Sequence, residues 1–339
     1  PVNEDNEKVY SYHGYAQTDL YKIDERYGTN EEYKELSQKL NQRKMKLVMD
    51  YVTNHWGVSH WMIKDLPTKN WIHWFSDGEN GFKRSNYKTT TQFDTNASEV
   101  DKKLALDGWF DTTMPDINQK NPLVLKYLTQ NAIWWIEYAG VDGIRQDTYP
   151  YADYQMMIDW CRAIEKEYPN YNIVGEAWYN DPLGTAFWQK DSKLNNRENT
   201  QLKSVMDFSL MGLAHSAFFE ETGEWGGGLR NIYEHMTTDY VYPNIYSVLR
   251  FLDNHDTDRF LPEMPKNLDG FKQGITFLLT IPGIPQIYYG TELLMNGNKS
   301  KSDGDIRKDV PGGWQGDSVN QFTAEGRSTL QNEAFDFMQ

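Results

Sequence analysis

Between residues 125 and 139 the apolar positions keep a helical period, with Leu128, Ala132, Trp135 and Ala139 on one face and Gly140 placed as a stop. The period then changes. A short strand begins at Ile144, and its alternation puts Arg145 and Asp147 on one face. Upstream, residues 1–20 are polar and aromatic and read as a loop, and Asn30 with Glu31 and Glu32 starts a helix to about Asn41. Leu47–Val52 reads as a buried strand of the kind found in parallel sheets. Downstream the pattern predicts a helix over 154–168, a strand from Asn172 ending on Glu176, an irregular loop over 181–202 and a strand over Ser204–Phe208. Helical and Gly-rich segments follow to Pro243. Then come a strand over Tyr246–Leu252, a helix over 271–279, a last strand over Gln286–Gly290, a polar loop across Arg307 and Trp314, and a terminal helix over about 323–337.

Six strands alternating with helices imply a parallel sheet with crossover helices. Polar residues follow nearly every strand, and a TIM (β/α)8 barrel gathers all strand C-terminal ends at one mouth. An open doubly wound sheet is the alternative. Residues 56–113 hold no long periodic element and are too long for a bare connection, so they read as a small inserted subdomain. The expected organisation is barrel over 1–55, insert over 56–113 and barrel again over 114–339.

Composition narrows the partners. The 339 residues carry a net charge of −15, which makes nucleic acid and anionic membrane surfaces poor partners. No apolar run approaches a membrane span. The single cysteine, Cys161, excludes an internal disulfide and reads as a small buried hydrophobe. The chain is rich in aromatics, with 12 Trp and 22 Tyr.

The strand ends hold the candidate chemistry. Asp50 and His55 follow one strand, Arg145 and Asp147 end the next, Glu176 ends the third, and His255 and Asp256 follow another. Each alone could be an ion pair or a helix cap. Together, three or more carboxylates in an aromatic-rich cleft fit glycosidic bond cleavage, which needs one ionised carboxylate and one that holds a proton. Arg145 beside Asp147 is expected to keep it ionised, and the apolar flank of Glu176 (Val174, Ala177, Trp178) is expected to raise its pKa. No His-x-x-x-His, cysteine cluster, Gly-x-Ser-x-Gly elbow or dinucleotide fingerprint appears.

These residues resemble the motifs of the α-amylase family, glycoside hydrolase family 13. Asp50–His55 resembles its first motif, Gly140–Asp147 the second, Val174–Trp178 the third, Phe251–Asp256 the fourth and Met114–Asn118 the fifth. Ser11–Tyr15 resembles its Tyr-His-Gly-Tyr loop. Met114–Asn118 and Trp178 are similar to the neopullulanase, cyclomaltodextrinase and maltogenic amylase group. The resemblance implies a retaining enzyme that cleaves α-1,4 bonds in malto-oligosaccharides, cyclodextrins or pullulan. It implies Asp147 as nucleophile, Glu176 as acid/base and Asp256 as the carboxylate that holds the distorted sugar. It places Tyr15, His55, Arg145, Trp178, His255 and Arg307 on substrate, with Asp50 and Asn254 in support. No cofactor is implied for catalysis; Asn54 matches a calcium ligand of many relatives. The implied partner is an α-glucan, with homodimerisation of the full-length protein as a further expectation, and a periplasmic or secreted location is favoured over a cytoplasmic one. A transglycosylase of the same family and a non-catalytic glucan-binding relative are the alternatives. Two of the family's eight strands have no counterpart here, so the barrel is expected to be N-terminally incomplete and the chain a piece of a longer polypeptide.

Overall fold

A computed structural model describes residues 11–78, 81–223, 225–261, 263–265 and 267–339. The loop reading of residues 1–10 therefore lies outside the described residues. The chain divides into two compact units. One runs through Ala177 and takes in Phe187–Val205; the other comprises Trp178–Ala186 and Met206–Gln339.

The elements, in chain order, begin with helix α1 (Asn30–Gln42), strand β1 (Val48–Val52) and helix α2 (Glu99–Asp107). They continue with α3 (Pro122–Ala139), β2 (Gly143–Asp147), α4 (Tyr154–Glu167), β3 (Asn172–Gly175), α5 (Pro182–Phe187) and β4 (Ser204–Met206). The rest are α6 (Phe208–Phe219), α7 (Leu229–Met236), β5 (Val248–Phe251), α8 (Asp269–Thr280), β6 (Ile284–Gln286), α9 (Asp303–Ile306) and α10 (Thr329–Met338).

Local chemistry sets the boundaries. Thr29 and Glu32 form a capping box at the start of α1. Asn121 caps α3, Pro122 opens it and Gly140 ends it at φ 68°, a left-handed conformation that favours glycine. The buried face of α3 includes Val124, Leu128, Ala132, Trp135 and Ala139, as its period predicts. Burying each large apolar side chain there contributes roughly 1.5–3 kcal/mol. In the first unit, β1, β2 and β3 pair in parallel, and β3 pairs in parallel with β4. The register sets Asp50 beside Arg145, Val52 beside Asp147 and Arg145 beside Val174. In the second unit β5 and β6 pair in parallel, over a core that includes Leu210, Phe218, Phe260, Phe271 and Ile275.

Several expectations change. The Leu47–Val52 run is not a buried strand throughout: Val48 is 54% exposed, because among the described residues β1 has a neighbour on one side only. The third strand stops at Gly175, so Glu176 lies one residue beyond it. The last strand is Ile284–Gln286 rather than 286–290; the two prolines around Gly283 hid it. The 56–113 stretch contains a real helix, α2, and short helical turns, including Thr89–Gln92. Its Trp56, Trp71 and Trp109 are buried, while Trp61 and Trp74 are exposed. Helix α5 interrupts the expected loop over 181–202.

Candidate active site

In the first unit the C-terminal ends of β1, β2 and β3 converge on one guanidinium. The parallel register brings Asp50 beside Arg145, and the Glu176 N–H donates to Gln146 O at 2.9 Å, which carries the chain from β3 back over the end of β2. Arg145 Nη1 donates to the two Asp50 oxygens at 2.8 and 3.0 Å and to Asp147 Oδ1 at 2.9 Å. Its Nη2 stands 2.8 Å from Glu176 Oε1 as an ion pair. Asp147 and Glu176 are both buried, and each contacts one terminal nitrogen of the same guanidinium.

The second Glu176 oxygen, Oε2, accepts the Thr148 N–H at 2.8 Å. Thr148 is left-handed, at φ 49° and ψ 38°. A β-branched residue held there costs on the order of 1–3 kcal/mol, and such strain persists only when the surroundings enforce it. The apolar flank expected around Glu176 is therefore not what its carboxylate meets, since the guanidinium and this amide occupy it.

Charge balance governs the pair. One cation faces three carboxylates. Burial pushes Asp147 up to about 6; Arg145 opposes the rise and Asp50 adds to it. Arg145, expected to keep this carboxyl ionised, works in that direction against burial, and the group is ionised at neutral pH. Tyr15 Oη donates to Asp50 Oδ2 at 2.8 Å, and burial beside Asp50 raises its pKa. The Tyr15 loop is laid against the chain after His55. Gly57 N–H donates to Gln17 O at 2.9 Å, and a Cβ on Gly57 would lie 2.5 Å from Ala16 O. His55 is buried and pushed down to about 3, so it is neutral, and its ring stacks on Phe110 at 5.0 Å. Residues 54–56 pair with 115–117: His55 bridges Asp116 and Ile117 N–H donates to Asn54 O.

The second unit holds its own group at the end of β5. Asp256 Oδ1 accepts from Arg307 Nη2 at 2.8 Å, and Arg307 Nε donates to His255 O at 2.7 Å. His255 Nε2 lies 3.1 Å from Asp256 Oδ2. Asn254 is buried, and its Oδ1 accepts the Asp256 N–H at 2.9 Å. Trp178 is 41% exposed and stacks on Phe208 at 4.3 Å, so it is not plain core.

Calcium takes six to eight oxygens, and at Asn54 one buried acceptor is unpartnered. Asn54 Nδ2 pairs with His55 Nδ1, its main-chain O already accepts from Ile117 and Gln119, and only its side-chain oxygen is free of a partner. Among the described residues no group of three His, Cys, Asp or Glu side chains could hold a metal.

Sequence reasoning missed Thr148, Phe110 and Tyr151. The Tyr151 ring stands 5.5 Å from Phe110, and its hydroxyl pKa is raised by burial and by the charges of Glu176 and Asp147. The Tyr-Pro-Tyr run after Asp147 was the one available signal for that wall.

Comparison with known proteins adds three relatives and a family model. The α-amylase catalytic-domain model matches residues 1–324. An "Alpha-amylase 3" of Dictyoglomus thermophilum is 30% identical over 328 residues, which cover 92% of this chain and 59% of that protein. A "Cyclomaltodextrinase" of Thermoanaerobacter pseudethanolicus is 28% identical over 296 residues, covering 85% of this chain and 46% of that protein. A solved α-amylase structure from Anoxybacillus superposes with a TM-score of 0.73 at 26% identity, covering 99% of this chain and 64% of that one. The chain thus spans about half the length of the relatives it matches.

Proposed function

Because the chain belongs to the α-amylase family of glycoside hydrolases, we propose that its strand-end carboxylates cleave α-1,4-glucosidic bonds with retention of configuration. The substrates in this reading are malto-oligosaccharides, cyclodextrins or pullulan. The supporting observation is the single Arg145 guanidinium shared by Asp147 and Glu176, which ties a buried nucleophile and a buried acid to one cation.

Asp147, ionised at neutral pH, attacks the anomeric carbon. Glu176 gives its proton to the departing glycosidic oxygen, and a covalent glycosyl-enzyme forms. Glu176 then takes a proton from water, whose oxygen displaces Asp147 and releases the sugar with its original configuration. Arg145 aims both carboxylates and Asp50 braces Arg145. Tyr15 and His55 line a sugar subsite in the first unit; within the second unit, Asp256 with His255 and Arg307 is suited to holding glucan hydroxyls. Trp178 offers an exposed ring to the glucan. Residues 56–113 serve as the barrel's inserted domain in this reading.

The test is the anomer released first. With maltotriose followed by NMR, retention gives the α-anomer before mutarotation. Initial release of the β-anomer would sink the retaining assignment. Sugar products longer than the substrate would show that sugar competes with water as acceptor.

A further inference from the structure

We propose that Gln92 is a positioning residue for Glu176: its buried carboxamide clamps the turn after Asp147 and so fixes the Thr148 N–H on the Glu176 carboxylate. This role rests on Glu176 being the acid/base. Gln92 ends a short helical turn, Thr89–Gln92, 55 positions before Asp147, and is only 9% exposed. Its Nε2 donates to Pro150 O at 3.0 Å and to Ala152 O at 3.3 Å. Its main-chain oxygen accepts from Arg197 Nη1 at 3.0 Å, and the Arg197 guanidinium lies 3.6 Å over the Tyr154 ring. One residue, through its side chain and its main-chain oxygen, therefore links two segments of the unit to the turn.

The turn is tied to the Glu176 segment by a backbone bond, Tyr149 N–H to Glu176 O at 3.2 Å, and its far side is held by Gln92. The turn runs Thr148–Ala152, with Tyr149 and Ala152 fully buried and Pro150 contributing no N–H. The Tyr151 N–H donates to Thr148 O at 3.0 Å, closing the turn from within. The carbonyls of Pro150 and Ala152 face a buried interior, where an unmet acceptor is costly, and Gln92 meets both. The residue these contacts restrain is the left-handed Thr148, whose N–H lies 2.8 Å from Glu176 Oε2. The other charged and titratable groups around Glu176 are Arg145 and Asp147 on β2, Asp50 on β1 behind Arg145, and Tyr151 in the turn itself. None of them replaces that backbone donor.

The experiment is Gln92→Leu in the full-length chain, alone and combined with Thr148→Gly, with kcat, KM, the pH profile and Tm measured for each. With Gln92→Leu alone, kcat is expected to fall about tenfold while KM stays within about twofold. The alkaline limb of the kcat profile should move to higher pH, because an N–H donor that favours the charged carboxylate is loosened. Glycine takes the left-handed backbone without strain, so in the Thr148→Gly background the clamp matters less, and Gln92→Leu should cost under about threefold. A fall in Tm with kcat and the alkaline limb in place would reduce Gln92 to a structural residue and overturn the proposal. Equal losses in both backgrounds would do the same. Should Gln92→Leu not fold, Gln92→Asn keeps the amide but draws it back by one methylene; the same shifts are then expected, smaller, and their absence overturns the role. An unaltered chain that turns over no α-glucan would sink the hydrolase reading and this role with it, an outcome distinct from an active enzyme indifferent to Gln92.

Discussion

Two arginines, one in each unit, bind carboxylates beside the ends of parallel strands and come to opposite results. Arg145 serves Asp50, Asp147 and Glu176. Arg250, on β5 and fully buried, serves Asp207 and Asp239, the second at 2.6 Å, and its Nε donates to Pro282 O. Asp207 is met by more donors still: Ser209 Oγ at 2.6 Å, the Leu210 N–H at 3.0 Å where it caps α6, and His235 Nε2 at 3.3 Å. Burial alone would raise Asp207, but the His235 hydrogen bond and the Arg250 charge bring it down to about 2. Asp147 has fewer donors and two like charges nearby, and it rises to about 6. The carboxyl of an Arg–Asp pair at a strand end is thus held low where donors outnumber charges, and raised where charges outnumber donors.

The largest effect that would break this comparison is catalytic. Asp147→Asn should lower kcat on malto-oligosaccharides by about 10⁴-fold or more. Initial rates near those of the unaltered enzyme would place the nucleophile elsewhere. Asp207→Asn, by contrast, should act on stability. Removing one partner of a buried pair costs about 3–5 kcal/mol, read by denaturant unfolding, and the fraction that still folds should keep its kcat.

The same Asp→Asn change should have the opposite sign at Asp147. Its folded pKa lies above the unfolded value. Between about 4 and about 6 the native state therefore holds more protons, stability falls as pH rises, and the penalty is complete above that window. Asp147→Asn removes the penalty and should raise stability at pH 7 by on the order of 2 kcal/mol. For Asp207 the folded value lies below the unfolded one. Its contribution is present above about 4 and is lost as pH falls toward about 2. Thermal melts from pH 2 to pH 8 on both variants and the parent separate the two windows; curves of the same shape would erase the distinction.

The smallest effect sharpens the cause. Asp50 adds to the rise at Asp147, so Asp50→Asn should move the acid limb of the kcat/KM profile downward from about 6. An upward move would mean that bracing of Arg145 by Asp50, rather than its charge, dominates.

The sequence by itself determined the helices with strong periods, such as α3 with Gly140 at its end, although its start at Asn121 and Pro122 lies three residues before the period begins. It also determined the alternation that sets Arg145 and Asp147 on one face, and the order of strand-end carboxylates. These follow from local rules: period, caps and spacing. It determined less well the short elements β6, α5 and α9, whose three to six residues are too few to show a period. Only the tertiary structure decided the charge of Asp147, because the neighbours that set it, Asp50 and burial, arrive through strand pairing and not through adjacency. Only it decided that Glu176 meets a guanidinium and the amide of a strained Thr148, that Arg307 reaches Asp256 from 51 positions away, and that Arg250 and Asp207 form a closed structural pair. Pattern along a chain reports which residues can lie on one face. Which charges share a site, and how many donors each one finds there, depends on contacts between distant segments.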